Sequence, residues 1–422
     1  MSYPGNMTSI NDSSPRILML LYSLPPMPMG GAEVQGTKLV ASLNAAGIQT
    51  KVITWGKLWH RKNGVYGGIP FTRIRSLLNL ITDLPSLLVR KKSDAPKAVK
   101  IDYDDSREVT NQVTGKVGVA MILRYQLFYF NCLIYLWRRR KQFDIIHVHM
   151  MEWPAFVGVR IGKLLNKPVV IKDSTMNGIS NILRYPRGAK KQKDIAGYAH
   201  CVAMTGMIKE NYLKAGVPPD RITTIPNGIQ IEPRPDANKV WGQRVIFVGN
   251  LTQQPAKGID ILLKAWRTVV EQSSEATLQI VGNGDLHAYR AYVDAKGIGS
   301  SVKFMGKQQN VRQLLLGADI FVLPSRREGM SNALMEAMMC AMPVVATDVS
   351  GSQDLVTHNE SGLLVPSADS GKLAEAIITM LRDPERAVAM GKKAYESVKE
   401  KCNIETVALK YIGLYNQILE RD

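Results

Sequence analysis

The chain alternates short apolar runs with helix-like periods, and it does so twice. In the first half the runs include RILMLLY (16–22) and DIIHVHM (144–150), and the second half opens its own series with RVIFVGN (244–250). Short buried strands joined by helices are typical of parallel sheets that are covered on both faces. The polar, proline-rich stretch EPRPDANKVWGQ lies between the two series. The pattern therefore predicts two Rossmann-like α/β domains, at residues 1–232 and 233–422.

Two such domains facing each other would place the carboxyl ends of both sets of strands at a central cleft, where open α/β sheets bind ligands. Residues 57–120 follow the alternation less regularly, and we interpret 92–118 as a long loop or mobile insertion. One option left open is that the last helix packs back on the first domain.

The composition excludes several classes of protein. Hydrophobic residues make up 45% and charged residues 21% of the 422 residues, which is ordinary for a soluble globular chain. No run reaches the ~18 apolar residues that span a bilayer, and the polar start lacks the cationic region of a signal peptide. The four cysteines lie far apart without metal-binding spacing, so we expect buried thiols and no metal site. These features predict a cytoplasmic protein.

Positive charge is concentrated in the first half. Residues 1–233 carry 32 Lys and Arg against 15 Asp and Glu, whereas residues 234–422 carry 22 against 21. The segment RYQLFYFNCLIYLWRRRK (124–141) joins aromatic residues to four consecutive cations. These cations are Arg138, Arg139, Arg140 and Lys141.

This composition is typical of a helix at the surface of an anionic membrane, and a core helix with a solvated basic end is the alternative. We therefore expect a peripheral position at the inner face of the membrane, with anionic lipid as a partner. No nucleic-acid-binding motif accompanies the charge, so nucleic acid is not an expected partner.

One helical segment carries a single charge among apolar residues. In SNALMEAMMCA, which begins at Ser331, that charge is Glu336. A helix that is apolar all round is buried, and a buried carboxylate is costly unless it is paired or hydrogen-bonded. Glu336 therefore needs a partner, either the hydroxyl pair of a ligand or a buried Arg or Lys. Asn332 lies on the same face, Glu328 lies in the preceding loop, and the N–H groups at the helix start favour an anion.

The segment from Glu328 to Glu336, EGMSNALME, resembles the Glu-x7-Glu signature of the retaining family 4 glycosyltransferases, which have the GT-B fold. Further matches occur in the same order as in that family. They are GGAE from Gly30, IPNG from Ile225 and a Lys-Gly pair at Lys257. The resemblance implies two Rossmann-like domains facing a central cleft, the first for an acceptor and the second for a nucleotide sugar.

The resemblance also implies a set of donor contacts. In such enzymes the second glutamate, here Glu336, holds the ribose hydroxyls of the donor, and the first, here Glu328, lies near the transferred sugar. Lys257 is implied to bind the diphosphate, and the Gly30–Gly31 turn to bring backbone against the donor phosphate and sugar. Backbone contacts are implied at Gly329, Met330, Ser331 and Asn332. A Lys and oriented amides can stabilise a leaving diphosphate without a metal, so no cofactor is expected.

One donor-site position departs from the family. Family members usually have Arg in Val-Gly-Arg-Leu, whereas this chain has Asn250 in VGNL. An amide donates hydrogen bonds but brings no charge. Either Lys257 carries the leaving group alone, or another cation compensates.

Two polar residues of the first domain are candidates for the acceptor side and for catalysis. His149 ends the DIIHVHM strand and Asp173 ends the next one, VVIKDS, so both lie at the carboxyl edge that is predicted to face the cleft. For His149 the alternatives are a side chain pointing into the cleft and a structural histidine. Asp173 is expected either to orient or deprotonate an acceptor hydroxyl or to cap the next helix.

The sequence thus predicts a retaining, metal-independent glycosyltransferase. It would move a sugar from a nucleotide sugar to a saccharide or lipid-linked saccharide acceptor, in bacterial polysaccharide or glycoconjugate assembly. A nucleotide-sugar epimerase of the same fold is one alternative, but it would leave the basic first half unexplained. A catalytically silent nucleotide-sugar-binding protein is the other, and Asn250 is the feature that suggests it.

Overall fold

The computed structural model describes residues 14–27, 29–56, 60–75, 119–151, 153–234, 240–251 and 255–421. Within them the chain forms two mainly parallel sheets with helices packed against them, which confirms the predicted α/β class. The predicted loop at 92–118 lies outside the described residues.

The first sheet has eight described strands. In chain order they are β1 (Ile17–Leu21), β2 (Thr50–Trp55), β3 (Asn63–Tyr66), β4 (Ile69–Ile74), β5 (Ile145–Val148), β6 (Val169–Lys172), β7 (His200–Ala203) and β8 (Ile222–Thr224). Across the sheet the order is β3-β4-β2-β1-β5-β6-β7-β8, and among these strands only β3 is antiparallel to its neighbour. The chain therefore moves from β1 to β2 on one side and to β5 on the other, which creates a binding crevice between β1 and β5.

The β3–β4 hairpin lies in a region where the sequence predicted irregular structure. The first of its strands has only four residues, and Pro70 lies within the second, so the strand pattern is weak there. Gly67 and Gly68 form the connecting turn, and both have positive φ, as tight hairpin turns require. The Gly-Gly pair was the signal that could have identified this hairpin.

The described helices of the first half are α1 (Gly31–Ala45), α2 (Val119–Trp137), α3 (Trp153–Leu165), α4 (Gly178–Asn181), α5 (Gly188–Tyr198) and α6 (Gly206–Lys214). Side chains of β1 alternate between two cores, because successive residues of a strand point to opposite faces. Met19 packs in the same core as Leu39 of α1. Leu20 packs in the same core as Phe128 of α2, so α1 and α2 cover opposite faces of the sheet.

The second sheet has six described strands. They are β9 (Arg244–Val248), β10 (Thr277–Val281), β11 (Val302–Gly306), β12 (Ile320–Leu323), β13 (Val344–Thr347) and β14 (Leu363–Val365). Their order is β11-β10-β9-β12-β13-β14, and all the described pairs are parallel. The order reverses between β9 and β12, so this sheet has a crevice of the same kind.

One described helix of the second half returns to the first sheet. The described helices of this half are α7 (Ile259–Gln272), α8 (His287–Ala295), α9 (Val311–Gly317), α10 (Asn332–Met339), α11 (Ser350–Leu355), α12 (Ser370–Arg382), α13 (Pro384–Cys402) and α14 (Ile404–Arg421). The last helix, α14, shares a core with β1 and α1. In the described part of the chain no helix combines the length and the apolar character needed to cross a membrane.

The two connections between the sheets run side by side. Ile229 lies in the segment leading to the second sheet and Asn403 in the segment returning from it, and the two form a parallel bridge. The Ile229 N–H donates to the Cys402 carbonyl at 2.7 Å, and the Ile404 N–H donates to the Ile229 carbonyl at 3.0 Å.

Each sheet is pinned at its centre by one aspartate. The Asp319 carboxylate, just before β12, accepts from the backbone N–H of Arg244 at 2.8 Å and from its guanidinium at 2.9 Å. The Asp144 carboxylate, just before β5, accepts the same set of bonds from Arg16, which precedes β1. The bonds to Arg16 lower the pKa of Asp144 below its usual value. In each domain this contact fixes the start of the central strand against the strand beyond the crevice.

A buried histidine connects the first sheet to α14. His147 of β5 lies with its Nδ1 atom 2.6 Å from the Tyr415 hydroxyl, and its ring lies 5.2 Å from that of Tyr411. Burial, together with the nearby charge of Lys172, lowers the pKa of His147 to about 3. The imidazole is therefore neutral in the folded protein at neutral pH.

We expect Asp319→Ala to lower the free energy of unfolding by roughly 3 kcal/mol, because two N–H groups and a guanidinium lose a buried acceptor. Asp144→Ala is the matched control. The Asp144 side chain is 25% exposed whereas that of Asp319 is 0% exposed, so water can replace more of its bonds. Urea unfolding of both variants would measure the difference. Equal losses would show that burial of the carboxylate does not set the strength of this contact.

We expect stability to fall as the pH drops from about 6.5 towards about 3, because the unfolded chain then binds protons that folded His147 does not. The contribution of one such group is about 1.4 kcal/mol per pH unit. His147→Phe should reduce this slope. Tyr415→Phe should keep the slope and only lower stability by about 1 kcal/mol, through its lost hydrogen bond. Urea unfolding across this pH range would test both, and an unchanged slope in His147→Phe would contradict the assignment.

Candidate active site

The site lies where β12 leads into α10, opposite the start of α1. The Ser331 side chain caps α10 by accepting from the Leu334 N–H at 3.3 Å. The composition of α10 predicted a helix that is buried on all sides, but one side of it is only half-buried. Asn332, Ala333 and Glu336 are only half-buried, whereas Leu334 and Met335 are buried in the core. The half-buried side of α10 faces the first domain.

Glu336 is the charge without a close partner on this side. Among the described residues no hydrogen bond and no ion pair within 4.0 Å reaches its carboxylate. Burial raises the pKa of Glu336, and the positive charge of Lys38 on α1 opposes the shift. The predicted alternative of a close ion pair with a buried Arg or Lys is therefore not found among the described residues. The carboxylate is open to ligand hydroxyl groups.

Glu328 and Lys257, which were assigned to different parts of a donor, lie in contact. The Lys257 ammonium donates to the Glu328 carboxylate at 2.7 Å, and the Ser325 hydroxyl donates to the same oxygen at 3.0 Å. Gly258 makes this arrangement possible, because a Cβ at this position would lie 1.9 Å from the Pro324 carbonyl oxygen. Its φ is also positive, at 65°. The turn carrying Lys257 thus packs directly against the end of β12.

The glycine turn of the first domain meets α10. The Gly30 N–H donates to the Glu33 carboxylate at 2.8 Å, which fixes the start of α1. The Asn332 side chain accepts from the Gln35 amide at 2.9 Å and donates to the Gly31 carbonyl at 3.5 Å. The sequence analysis missed Gln35, although a polar residue among the apolar positions of α1 was a signal for it.

The loop before α10 also contacts the first domain. The Asn227 side chain donates to the Met330 carbonyl at 3.4 Å, and the Asn227 N–H lies 3.2 Å from the Met330 sulfur. A Cβ at Gly329 would lie 2.8 Å from the end of the Met204 side chain. The predicted IPNG and EGMSN motifs therefore come together, and the two domains meet around this loop. Asn250 lies exposed at the end of β9.

His149 does not face the cleft. Its ring is buried at 2% exposure, 5.7 Å from the ring of His147 and against Gly36 of α1. The reason is the strand period, which directs both histidines towards the face that α1 and α14 cover. Burial lowers the pKa of His149 well below its usual value, and neither ring nitrogen has a hydrogen-bond partner among the described residues. This placement favours the structural alternative.

Asp173 bonds within its own loop. Its carboxylate accepts from the Thr175 N–H at 2.9 Å and from the Thr175 hydroxyl at 3.1 Å, and it is 1% exposed. Such a turn is a usual role for Asp after a strand. These bonds stabilise the turn after β6, whereas the N-cap position of α4 is Asn177, so the predicted helix cap is not what they show. The acceptor role of Asp173 stays a prediction.

Lys172 is a buried cation that the sequence analysis did not select. It is 2% exposed, and its ammonium lies 5.9 Å from the centre of the Tyr411 ring. Burial lowers its pKa to about 7, and no carboxylate pairs with it among the described residues. The Lys-Asp pair at a strand end was the available signal, but a sequence does not show which of the two side chains is buried without a counter-charge.

Helix α2 has an apolar buried face and an apolar exposed face. Phe128, Cys132 and Leu136 are buried. The exposed face consists of Phe130, Ile134 and Trp137, which are 54–56% exposed. The predicted cations follow directly, and all except the half-buried Arg139 are exposed. The buried face agrees with the alternative of a core helix with a solvated basic end, and the membrane-surface interpretation stays a prediction.

In the described part of the chain no three His, Cys, Asp or Glu side chains are grouped so that they could hold a metal. The residues brought together at the domain junction are Glu328, Lys257, Asn332, Gly31 and Glu336. His149 and Asp173 are buried in the first domain. Arg138–Lys141 directly follow α2, which covers the other face of the first sheet.

Comparison with known proteins shows which kind of enzyme this chain resembles. The family model described as Glycosyltransferase Family 4 matches residues 29–233, and the model described as Glycosyl transferases group 1 matches residues 242–383. The chain is similar to N-acetyl-α-D-glucosaminyl L-malate synthase of Bacillus anthracis, with 25% identity over 67% of this chain and 77% of that protein. It is also similar to phosphatidyl-myo-inositol mannosyltransferase of Mycobacterium leprae, with 28% identity over 61% of this chain and 70% of that protein.

Solved structures share the architecture. Sucrose-phosphate synthase from Thermosynechococcus elongatus has a TM-score of 0.74 at 21% identity, covering 97% of this chain and 100% of that chain. Anabaena HepE in complex with UDP and glucose has a TM-score of 0.69 at 18% identity, covering 95% and 99%. Both show the two-domain GT-B fold. The two family models, which match successive parts of the chain, show that it is a glycosyltransferase similar to family 4.

Proposed function

We propose that this glycosyltransferase moves a sugar from a nucleotide-sugar donor to a saccharide or lipid-linked saccharide acceptor in bacterial glycoconjugate assembly, with retention at the anomeric carbon and without a metal. The observation that carries the donor assignment is Glu336. A half-buried carboxylate without a close partner has a raised pKa and needs donors, and the two adjacent hydroxyls of a ribose can supply them. The Glu-x7-Glu resemblance points to the same contact.

The leaving group is a nucleoside diphosphate, on which negative charge develops in the transition state. Lys257 lies in the turn before α7, which packs against the end of β12, and the N–H groups at the start of α10 are directed out of the helix. Oriented N–H groups and an ammonium stabilise such charge without reorganisation. Glu328, held by Lys257 and Ser325, would lie beside the transferred sugar. The acceptor hydroxyl would attack from the side that the diphosphate leaves, and the departing phosphate would take its proton.

The names of relatives agree with an acceptor of this class. One is a phosphatidyl-myo-inositol mannosyltransferase, and another, from Staphylococcus aureus, is a poly(ribitol-phosphate) α-N-acetylglucosaminyltransferase. A lipid-linked acceptor would bring the enzyme to a membrane surface. The exposed apolar face of α2, followed by exposed cations, supports a peripheral position at the inner, anionic face of the membrane. In this proposal Arg138, Arg140 and Lys141 contact lipid headgroups.

The alternatives predict different products. An epimerase would convert the donor without an acceptor, and a catalytically silent protein would bind the donor and leave it intact. A labelled nucleotide sugar incubated with and without acceptor extract separates the three functions by where the label goes.

We expect one of a panel of UDP-, GDP- and ADP-sugars to stabilise the protein by about 2.7 kcal/mol at a hundred times its dissociation constant. Glu336→Gln should lower the affinity for that donor roughly ten- to hundredfold, because charged hydrogen bonds to the ribose are lost. Glu375→Gln, on the exposed side of α12, is the matched control and should bind normally. Thermal shift and calorimetry would measure both effects.

Two results would contradict this proposal. If no nucleotide sugar binds, the donor class is wrong, and if Glu336→Gln binds normally, the ribose assignment is wrong. A chelator should leave transfer from the labelled donor unchanged, and its loss would contradict the metal-free mechanism. Glu328→Ala should lower turnover more than donor affinity.

We expect the protein to sediment with anionic vesicles and not with neutral ones. Each cation near an anionic surface contributes about 1 kcal/mol, and 1 M salt should abolish the effect by shortening the screening length to ~3 Å. Reversing Arg138 and Lys141 to Glu should weaken binding, whereas reversing Lys392 and Lys393, which are exposed on α13, is the matched control. Equal sedimentation of the two double variants would contradict the role of α2.

A further inference from the structure

Two cations of the donor site already have carboxylate partners. A nucleoside diphosphate is a multiply charged anion, whereas Asn250, at the end of β9, is uncharged. The ammonium of Lys257 already lies 2.7 Å from the Glu328 carboxylate. Arg326, in the same loop, forms two hydrogen bonds to Asp260 at 2.6 and 2.7 Å. These two cations of the second domain are therefore balanced by carboxylates before any ligand arrives, whereas Arg327, the next residue of the loop, is exposed.

Lys38 is a cation of the first domain that lies near the same junction. It is half-buried on α1, and among the described residues no hydrogen bond and no ion pair within 4.0 Å reaches its ammonium. Its charge nevertheless acts on Glu336, on the other side of the domain junction. The cation thus faces the carboxylate that is assigned to the ribose.

The helix geometry explains how the two side chains face each other. Gln35 and Asn332 are hydrogen-bonded across the junction at 2.9 Å. Lys38 follows Gln35 by three residues and Glu336 follows Asn332 by four, so each charge lies one turn further along the same face of its helix. Side chains of a helix lean towards its N-terminus, and the N-termini of α1 and α10 meet at this junction. Both charged ends therefore lean back towards the cleft.

We infer that Lys38 binds the phosphate groups of the nucleotide from the first domain. The inference rests on the proposed function, because it assumes a nucleoside diphosphate in this cleft. A bound nucleotide would give both unpaired charges a partner. Its ribose hydroxyls would donate to Glu336, and its phosphate oxygens would accept from Lys38.

This arrangement has a consequence for the order of assembly. Lys38 belongs to the first domain, whereas Lys257 and Glu336 belong to the second. The full set of nucleotide contacts therefore exists only when α1 and α10 lie together. Phosphate contacts from the first domain would couple donor binding to the junction that Gln35 and Asn332 form.

The test compares a nucleotide with its nucleoside. UDP, GDP and ADP are titrated into the wild-type protein by calorimetry, and the tightest is paired with its own nucleoside. Lys38→Met should lower the affinity for the nucleoside diphosphate about ten- to hundredfold, as expected for a lost charged hydrogen bond. It should change the affinity for the nucleoside less than twofold. Lys38→Arg should restore diphosphate binding. Lys392→Met, which removes one exposed Lys from α13, is the matched control.

The background of Glu336→Gln separates contact from indirect charge effects. If Lys38 contacts phosphate, Lys38→Met still weakens the diphosphate in that background, and the dependence of binding on salt becomes shallower. If Lys38 only balances the charge of Glu336, its loss affects nucleotide and nucleoside equally and disappears in the Glu336→Gln protein, which overturns the inference. Failure of all three diphosphates to bind the wild-type protein would instead overturn the proposed donor class.

Discussion

In both domains a single aspartate carboxylate holds the start of the central strand against the strand that enters on its other side. Asp144 does this for β1 and β5, and Asp319 does it for β9 and β12. Both bond to the backbone and the guanidinium of an Arg at the start of the central strand. Because the chain changes direction across the sheet at these strands, the contact fixes the width of each crevice at its base. The ligand-binding loops lie at the opposite ends of the same strands.

The crevices become one site only where the domains touch. That junction is polar: Gln35 bonds both to Asn332 and to the Gly228 N–H, and Asn227 bonds to Met330. The Ser350 hydroxyl, on α11, donates to Thr205 at 3.1 Å in addition. Polar contacts of this kind are typical of interfaces between domains that move relative to each other. The charges assigned to the nucleotide lie on both sides of the junction, so the ligand itself becomes part of the contact between domains.

The sequence contained most of the fold but only part of the site. Apolar strands such as β5 and β12 are recognisable because both faces of a parallel strand are buried, whereas β3 has only four residues and β4 contains Pro70. In EGMSNALME, Glu336 was selected because a lone charge on an apolar helix is unusual, and Glu328 because of the resemblance to the family signature. His149 and Asp173 were predicted to lie at the cleft because they occur at the carboxyl ends of strands. Whether such a residue faces the cleft or the helix layer depends on the strand register and on α14, which comes from the far end of the chain. The Lys257–Glu328 pair and Lys38 depend likewise on contacts between distant segments.

The paired connections at Ile229 and Asn403 have a consequence for the whole molecule. Because α14 returns to the first sheet, the second domain is topologically an insertion into the first, entered and left through one two-stranded neck. Hydrogen bonds between the two strands of the neck prevent either from moving without the other. Any reorientation of the second domain must therefore bend both strands together, which makes the neck a single pivot for the opening and closing of the cleft.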